Sequence, residues 1–278
     1  MGWVIAAAVV AVVAVTVYLW VRWLTRRRVY WFERLTNAIP INSDWWKAQR
    51  AKNGELLYVA IGDSAAQGIG ASRPGRSYVG FVAARIRSVS ALQVRVVNLG
   101  ISGATLSVAL KKQVPSLLKL QPDILTVSIG ANDMPTFEPS RFAAQLEQLF
   151  AALPKHAIVA DLPTFYFLPA EKKVRIANQL LREAAARHGL VVAPLHEAMR
   201  KQGLWGVTTQ FAGDLFHPND RGYKVWASAF FDAVDARLRN LSREGRSLNL
   251  HSTHGPRRIH LPLHRVRLVH QQVGRPVW

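Results

Sequence analysis

Hydrophobic and polar positions divide the chain into four segments of different character. Residues 2–21 form an almost unbroken apolar run in which Thr16 is the only clearly polar side chain. A helix rising about 1.5 Å per residue would extend this run over about 30 Å, which matches the hydrocarbon core of a bilayer. Residues 55–241 instead alternate short apolar runs with amphipathic stretches. The pattern therefore predicts a transmembrane helix at 1–24, a juxtamembrane connector at 25–54, a globular domain at 55–241 and a basic tail at 242–278.

The globular segment has the pattern of an α/β protein. Short runs that are rich in Val and Ile and closed by Gly, Asn or Pro are typical of strands buried on both faces. These predicted strands are residues 56–61, 94–99, 124–129, 158–161 and 190–193. Helical patterns occur at residues 78–87, 106–120, 140–153, 172–188 and 220–241. Because strands and helices alternate, we expect a three-layer α/β/α fold with a central parallel sheet.

The apolar N-terminal run differs from a cleaved signal peptide. It has no basic residue before it, it is longer than a signal core, and no small-residue cleavage site follows it. Because Lys and Arg beside a span favour the cytoplasmic side, we expect a single-pass membrane protein with its globular part in the cytoplasm. Residues 30–53 fit either a helix lying along the membrane interface or a helix covering part of the domain. The basic residues behind this orientation are Arg22, Arg26, Arg27, Arg28 and Arg34.

Net charge favours a membrane over nucleic acid as the acidic partner. The chain carries a formal net charge of +19, but residues 1–50 hold seven Lys or Arg against two acids, and residues 241–278 hold seven against one. More than half of the excess thus lies at the two ends, where an anionic membrane surface is the expected neighbour. The absence of cysteine excludes disulfides, thiolate metal sites and a cysteine nucleophile.

The basic segment 242–278 contains five of the nine histidines and has no sustained periodicity. It fits a polybasic arm for anionic lipid or nucleic acid, or a disordered tail, and we favour the disordered tail. The spacing of its histidines and the lack of acidic partners disfavour a metal site.

Four polar blocks stand at the strand ends and loops where parallel α/β sheets gather their reactive residues. Each block alone is also ordinary, since it fits a turn, a helix-entry loop, or a helix cap beside a surface histidine. The blocks are Gly-Asp-Ser at 62–64, Asn-Leu-Gly-Ile-Ser-Gly at 98–103, Gly-Ala-Asn-Asp at 130–133 and Asp-Leu-Phe-His-Pro at 214–218.

In combination these blocks supply the parts of a serine hydrolase. A serine hydroxyl such as that of Ser64 is a poor nucleophile and needs an adjacent base. Asp214 and His217 can pair so that the carboxylate holds Nδ1–H and Nε2 faces outward as the base. The N–H of Gly103 is open to a ligand, and the amide of Asn132 can donate hydrogen bonds as well. Such donors stabilise the oxyanion that forms when an ester is attacked.

With these blocks in this order, residues 55–241 resemble the SGNH hydrolases, also called GDSL esterases or lipases. The resemblance implies a flavodoxin-like fold. We expect the aspartate of Gly-Asp-Ser to have a structural rather than a catalytic role. The N-terminal span and the basic tail lie outside the family pattern, so substrate and topology are not implied. The functional set implied is Ser64 as nucleophile, His217 as base, Asp214 as its orienting carboxylate, and Ser64 N–H, Gly103 N–H and Asn132 as the oxyanion hole.

The sequence therefore predicts a membrane-tethered serine ester hydrolase that forms an acyl-enzyme and needs neither a metal nor an organic cofactor. Its substrates would be carboxylic esters of lipids, carbohydrates or small molecules. Two other functions stay open: an O-acyltransferase using the same site, and a non-catalytic lipid-binding module. Residues 163–169 (PTFYFLP), after the fourth strand, either line an apolar acyl pocket or form a packed loop without a ligand.

Overall fold

The structure, a computed structural model, describes residues 2–166 and 168–244. Its centre is a sheet of five parallel strands in the order β2-β1-β3-β4-β5. The strands are β1 (Leu56–Gly62), β2 (Val94–Asn98), β3 (Ile124–Ser128), β4 (Ile158–Ala160) and β5 (Val191–Ala193). This is the flavodoxin-like strand order, so the predicted fold class is confirmed. All five predicted strands are present, each with one end shifted by a single residue.

Helices cover both faces of this sheet. They are α1 (Gly2–Arg50), α2 (Ser64–Gln67), α3 (Tyr78–Ser90), α4 (Leu106–Val108), α5 (Val114–Leu117), α6 (Pro139–Ala151), α7 (Leu168–His188), α8 (Leu195–Arg200), α9 (Gly203–Thr209) and α10 (Asp220–Arg243). Short 3₁₀ turns occur at Pro74–Arg76 and Ala131–Asp133. The sequence did not predict α2, α8 and α9, because such short helices cannot display a sustained hydrophobic period.

The continuous helix predicted at 106–120 is wrong in its middle and at its end. Residues Ala109–Gln113 form a π-helical turn between α4 and α5, closed by Val114 N–H donating to the carbonyl of Ala109, and α5 ends at Leu117. Pro115 has no N–H with which to continue the regular ladder, and this favours the wider turn.

Three other helices are longer than predicted, and one of them, α3, ends at Ser90 rather than at residue 87. Helix α7 begins at Leu168 rather than at residue 172, because Pro169 fits a first turn, where a missing N–H costs nothing. Helix α10 continues to Arg243, so the first two residues assigned to the tail are helical. Glu244 is the C-cap of α10, and residues 245–278 of the predicted disordered tail lie outside the described residues.

The core lies on both faces of the sheet because side chains alternate along each strand. In β1, Tyr58 and Ala60 pack towards α3 and α10, whereas Val59 and Ile61 pack towards the helices from α4 to α7. The sheet edge at which β1 ends is therefore held between two packed layers.

Helix α1 runs without a break from the apolar run into the domain. In the described part of the chain it is the one helix long and apolar enough to cross a bilayer, although a signal sequence has the same properties. Its most apolar window has a mean hydropathy of 2.7 and is not buried at all. The predicted end of the transmembrane segment at residue 24 marks where the helix would leave a membrane. This boundary stays a prediction.

The second half of α1 packs on the domain. Leu35 and Trp46 are buried there, and Asn42 Nδ2 and Trp46 Nε1 both donate to the carbonyl oxygen of Gln67, at 3.0 and 3.1 Å. Of the two alternatives for residues 30–53, the structure has the helix that covers part of the domain, up to Arg50.

Candidate active site

Ser64 lies where β1 ends, at the carboxyl edge of the sheet. Asp63 caps helix α2, because its Oδ1 accepts the N–H of Ala65 at 2.9 Å, and Ser64 is the first residue of that helix. A side chain at Gly62 would place its Cβ 2.8 Å from the Cβ of Ala66, so this close turn requires glycine. The turn leaves the Ser64 hydroxyl at the sheet edge.

Asp214 and His217 lie on the loop that precedes α10. Asp214 Oδ2 accepts a hydrogen bond from His217 Nδ1 at 2.6 Å, and its Oδ1 accepts the backbone N–H groups of Phe216 and His217 at 3.1 Å each. Burial alone would raise the pKa of Asp214, but the hydrogen bonds from His217 and the backbone outweigh it and lower this pKa below its usual value. The carboxylate is therefore ionised at neutral pH and fixes the ring.

The His217 ring also reaches the Ser64 hydroxyl. The Nε2 to Oγ distance is 3.1 Å, across 153 residues of sequence. Because the Nδ1–H is donated to Asp214, Nε2 carries the lone pair and can accept the hydroxyl proton of Ser64. The structure thus brings Asp214, His217 and Ser64 into one hydrogen-bonded chain.

Gly103 and Asn132 line the same cleft as Ser64 and His217. Gly103 has a φ of +74°, and a Cβ added to it would meet nothing within 4 Å. Within residues 2–166 and 168–244, the backbone N–H groups of Ser64 and Gly103 have no hydrogen-bond acceptor. Two backbone donors are therefore available beside the Ser64 hydroxyl.

The Asn132 amide is held by hydrogen bonds of its own. Its Nδ2 donates to Asp63 Oδ2 and to the carbonyl of Ala104, at 3.1 Å each. Donation from Asn132 to an oxyanion would require one of these bonds to be shared or broken. Burial raises the pKa of Asp63 to about 6, although the N–H of Ala65 and positive charge on His217 lower it. Asp63 therefore caps α2 and orients Asn132.

Comparison of the sequence with known protein families identifies the family of this chain. Residues 60–225 match the GDSL-like lipase/acylhydrolase family. The chain belongs to this family. The match confirms the resemblance stated from the sequence and identifies a carboxylic ester hydrolase. Residues 60–225 are called the GDSL-like domain below; helix α1 lies outside it.

Solved structures share the fold of the GDSL-like domain. LAE5, an alpha/beta hydrolase enzyme from the metagenome of Lake Arreo in Spain, is 24% identical with a TM-score of 0.56, over 66% of this chain and 97% of LAE5. The lipase/acylhydrolase from Enterococcus faecalis is 21% identical with a TM-score of 0.56, over 66% and 96%. Axe2, an acetylxylan esterase from Geobacillus stearothermophilus, is 21% identical with a TM-score of 0.53, over 66% and 95%. The comparison with curated proteins gives no match.

Two buried glutamines hold the loops of the GDSL-like site in place by hydrogen bonds, and neither was predicted from the sequence. Gln67 Nε2 donates to the carbonyl of Gly100 at 3.0 Å, and its Oε1 accepts the hydroxyl of Ser102 at 2.8 Å. Gln113 brackets Gly62, donating from Nε2 to its carbonyl at 2.8 Å and accepting its N–H at 3.0 Å. The position of Gln67, three residues after Ser64, could have indicated from the sequence that it lies near the site. Gln113 lies in a basic stretch, and nothing in its sequence context indicates such a role.

An apolar cavity of about 220 Å³ adjoins Ser64 in the GDSL-like domain. Two alternatives were open for residues 163–169, and in the structure residues 163–166 line this cavity. Phe167 lies outside the described residues. Leu168 and Pro169 belong to α7. The apolar lining residues of the cavity include Phe165, Tyr166, Met199, Val207, Phe211, Leu215, Phe216 and Trp226.

Glu171 fixes the cavity-lining segment. Its Oε2 accepts the hydroxyl of Thr164 at 3.0 Å and the N–H of Phe165 at 2.9 Å, while Oε1 lies 2.7 Å from His196 Nε2. Burial alone would raise the pKa of Glu171, but the hydrogen bonds from Phe165 and His196 lower it. The carboxylate therefore stays ionised and keeps the segment in place.

The described residues, 2–166 and 168–244, contain no group of three or more His, Cys, Asp or Glu side chains placed to hold a metal ion.

Proposed function

We propose that the chain is a serine esterase in which Ser64 is the nucleophile, His217 the base and Asp214 its orienting carboxylate. The supporting observation is the hydrogen-bonded chain from Asp214 Oδ2 through His217 to Ser64 Oγ, with distances of 2.6 and 3.1 Å. A hydroxyl is activated when a base of this kind accepts its proton during attack.

In the proposed reaction, Ser64 Oγ attacks the ester carbonyl carbon while its proton moves to His217 Nε2. The resulting oxyanion accepts hydrogen bonds from the N–H groups of Ser64 and Gly103 and from Asn132. Collapse of this intermediate breaks the bond to the alcohol, which leaves with the proton from His217. A water molecule, deprotonated by His217, then releases the acid from Ser64. The negative charge of Asp214 stabilises the imidazolium in both steps.

The apolar cavity beside Ser64 supports an apolar acyl group as part of the substrate. Its aromatic and aliphatic walls, including Phe165, Val207 and Phe211, offer few polar partners to a sugar. Axe2 is named an acetylxylan esterase, and an acetyl group would leave most of this cavity unfilled. We therefore assign esters with longer acyl chains as the preferred class.

Turnover of 4-nitrophenyl esters by the purified full chain tests this function. We expect 4-nitrophenol release by the natural chain, and a loss of at least about 10³-fold in kcat for Ser64→Ala and for His217→Ala. Ser88→Ala, on the exposed side of α3, is the matched control and should retain full activity. Undiminished turnover in either site variant contradicts the assignment. Recovery of free acid, rather than ester of an added alcohol, separates hydrolysis from acyl transfer.

We also propose that the first half of α1 anchors the chain in a membrane. Exposed apolar side chains cover this half, and the helix then continues into residues that bond the domain, such as Asn42 and Trp46. If the apolar run were removed as a signal peptide, the cleavage would have to occur within this continuous helix. Arg26 and Arg27, on the domain side of the run, favour a cytoplasmic domain.

The lack of cysteine in the chain makes this topology easy to test. A single exposed thiol from Ser88→Cys would be the only one in the protein. In intact cells, a membrane-impermeant maleimide should leave it unlabelled until the membrane is opened, and the protein should stay in the membrane fraction after a carbonate wash. Labelling in intact cells would reverse the proposed orientation.

A further inference from the structure

Helix α1 forms one side of the active-site cleft. A cleft of about 470 Å³ lies between α1 and the GDSL-like domain, and its domain side includes Ser64, Ser102 and Gly103. Its α1 side consists of side chains three and four residues apart, which share one face of a helix. They are Phe32, Leu35, Thr36 and Ile39.

This wall is an addition to the family fold. The family match begins at residue 60, beyond the end of α1 at Arg50. The apolar cavity that contains Phe165 and Val207 meets this cleft at Ser64 and His217 and includes no residue of α1 among its described lining residues. The site therefore has two sides of different origin, one from the GDSL-like domain and one from α1.

Specific contacts attach α1 to both elements that carry the reactive groups. Asn42 and Trp46 donate to the carbonyl of Gln67, the last residue of the helix that begins with Ser64. Arg27 Nε donates to the carbonyl of Gly213 at 3.2 Å, directly before Asp214. The wall thus has a fixed position relative to the reactive groups.

Trp31 explains why residue 213 is glycine. A Cβ at Gly213 would lie 1.9 Å from atoms of the Trp31 indole, so the loop carrying Asp214 and His217 rests directly on α1. Such close packing is expected of a permanent part of the site rather than of a helix that only passes by.

We propose that this face of α1 is the binding site for the alcohol part of the ester, and that it selects alcohols with an apolar stem next to the ester oxygen, as in long-chain or lipid-type alcohols. The inference rests on the proposed esterase function. A tetrahedral carbon on Ser64 must send its acyl and alcohol parts in different directions, and the domain cavity is the side enclosed by apolar residues. The alcohol part then lies in the α1 cleft.

The chemistry of the wall sets the class of alcohol. Phe32 is 72% exposed, so its ring is available to a ligand, and Ile39 and Leu35 extend the apolar surface inwards. Among the side chains of α1 that the structure describes, Thr36 is the one polar group in this wall, and its hydroxyl is neutral. An alkyl stem buries apolar surface against this wall, which favours its binding. A polyhydroxylated alcohol would lose hydrogen bonds to water and form few with the wall, which disfavours its binding.

Two ester series, measured as kcat/KM with the full chain in detergent, test the inference. One series keeps the acetyl group and lengthens the alcohol from ethyl to octyl; the other keeps a methyl ester and lengthens the acyl chain. Thr36→Trp fills the cleft, and we expect it to lower the octyl-to-ethyl acetate ratio by at least about tenfold while leaving the acyl series within about twofold. Ala48→Trp, exposed on the same helix and outside the cleft, is the matched control and should change neither series.

Ile39→Ala is the second variant, for use if the tryptophan prevents folding. It removes apolar wall and should also lower the octyl-to-ethyl ratio. An unchanged alcohol series in a folded variant, or a loss confined to the acyl series, overturns the assignment of this cleft. The same samples are also labelled with a small fluorophosphonate, which loses fluoride as Ser64 Oγ bonds to phosphorus. This labelling distinguishes a failure of the proposed esterase function from a failure of the α1 alcohol site. A natural chain that does not label refutes the esterase; a labelled variant with unaltered selectivity refutes only the α1 site.

Discussion

Substitution of Gly103 by alanine separates the role of its N–H in catalysis from its role in the fold. Gly103 has a φ of +74°, and an added Cβ would meet nothing within 4 Å, so the substitution introduces backbone strain and no clash. A non-glycine residue in the left-handed region costs about 1–2 kcal/mol. For a domain of this size, that corresponds to a fall in Tm of about 2–8 °C.

Gly189→Ala is the matched control. Gly189 has a φ of +66° and open space around a Cβ as well, but it joins α7 to β5, at the amino edge of the sheet and away from Ser64. We expect both variants to lose the same stability. Only Gly103→Ala should lose activity, by about 10²–10³-fold in kcat, because its strained loop moves a donor away from the oxyanion.

Thermal unfolding followed by circular dichroism, together with kcat for a 4-nitrophenyl ester, measures both effects on the same samples. Equal activity of the two variants, at equal loss of Tm, would falsify the assignment of Gly103 to the oxyanion hole. A loss of activity in Gly189→Ala would instead show that strain anywhere in the domain reduces turnover.

Three further predictions concern carboxylates around the site. Asp214→Asn should lower kcat by about 10³–10⁴-fold with little change in KM, because the amide no longer fixes the His217 tautomer; kinetics with a short-chain ester measure this. Burial raises the pKa of Asp63 to about 6, so the folded state holds a proton that the unfolded state releases near pH 4, and stability should fall by about 3 kcal/mol in total as pH rises from about 3 to about 7. Asp63→Asn should remove that slope in urea titrations, and an identical slope in both proteins would contradict the cause. Glu171→Gln loosens the segment held at Thr164, so kcat/KM for octanoyl esters should fall about fivefold more than for acetyl esters; equal effects on both chain lengths would argue against a role for that cavity in acyl binding.

The sequence predicts the sheet well because buried parallel strands carry their own signal. β1 and β3 are short apolar runs with buried faces on both sides, and each ends at a small residue next to a polar block. The carboxyl ends of neighbouring parallel strands meet at one edge, so the separate blocks containing Ser64, Gly103 and Asn132 could be expected to converge.

Contacts that depend on packing between distant elements could not be predicted. Nothing in the sequence pairs Trp31 with Gly213, since the fit depends on how α1 crosses the loop before α10. Gln113 bonds Gly62 through both amide atoms, but an isolated glutamine beside lysines has the pattern of a solvated helix face. The hydrogen bond that Asn132 donates to Asp63 likewise depends on the folded turn and could not be predicted from the sequence.

The activation of Ser64 as a nucleophile by His217 is most directly tested by mapping a covalent adduct. We expect a fluorophosphonate to add one equivalent to the full-length folded protein, with the phosphonyl group on the peptide that contains Ser64. Labelling should be lost in Ser64→Ala and strongly slowed in His217→Ala. A folded protein that takes up no label, or that carries it on another serine, would contradict the account.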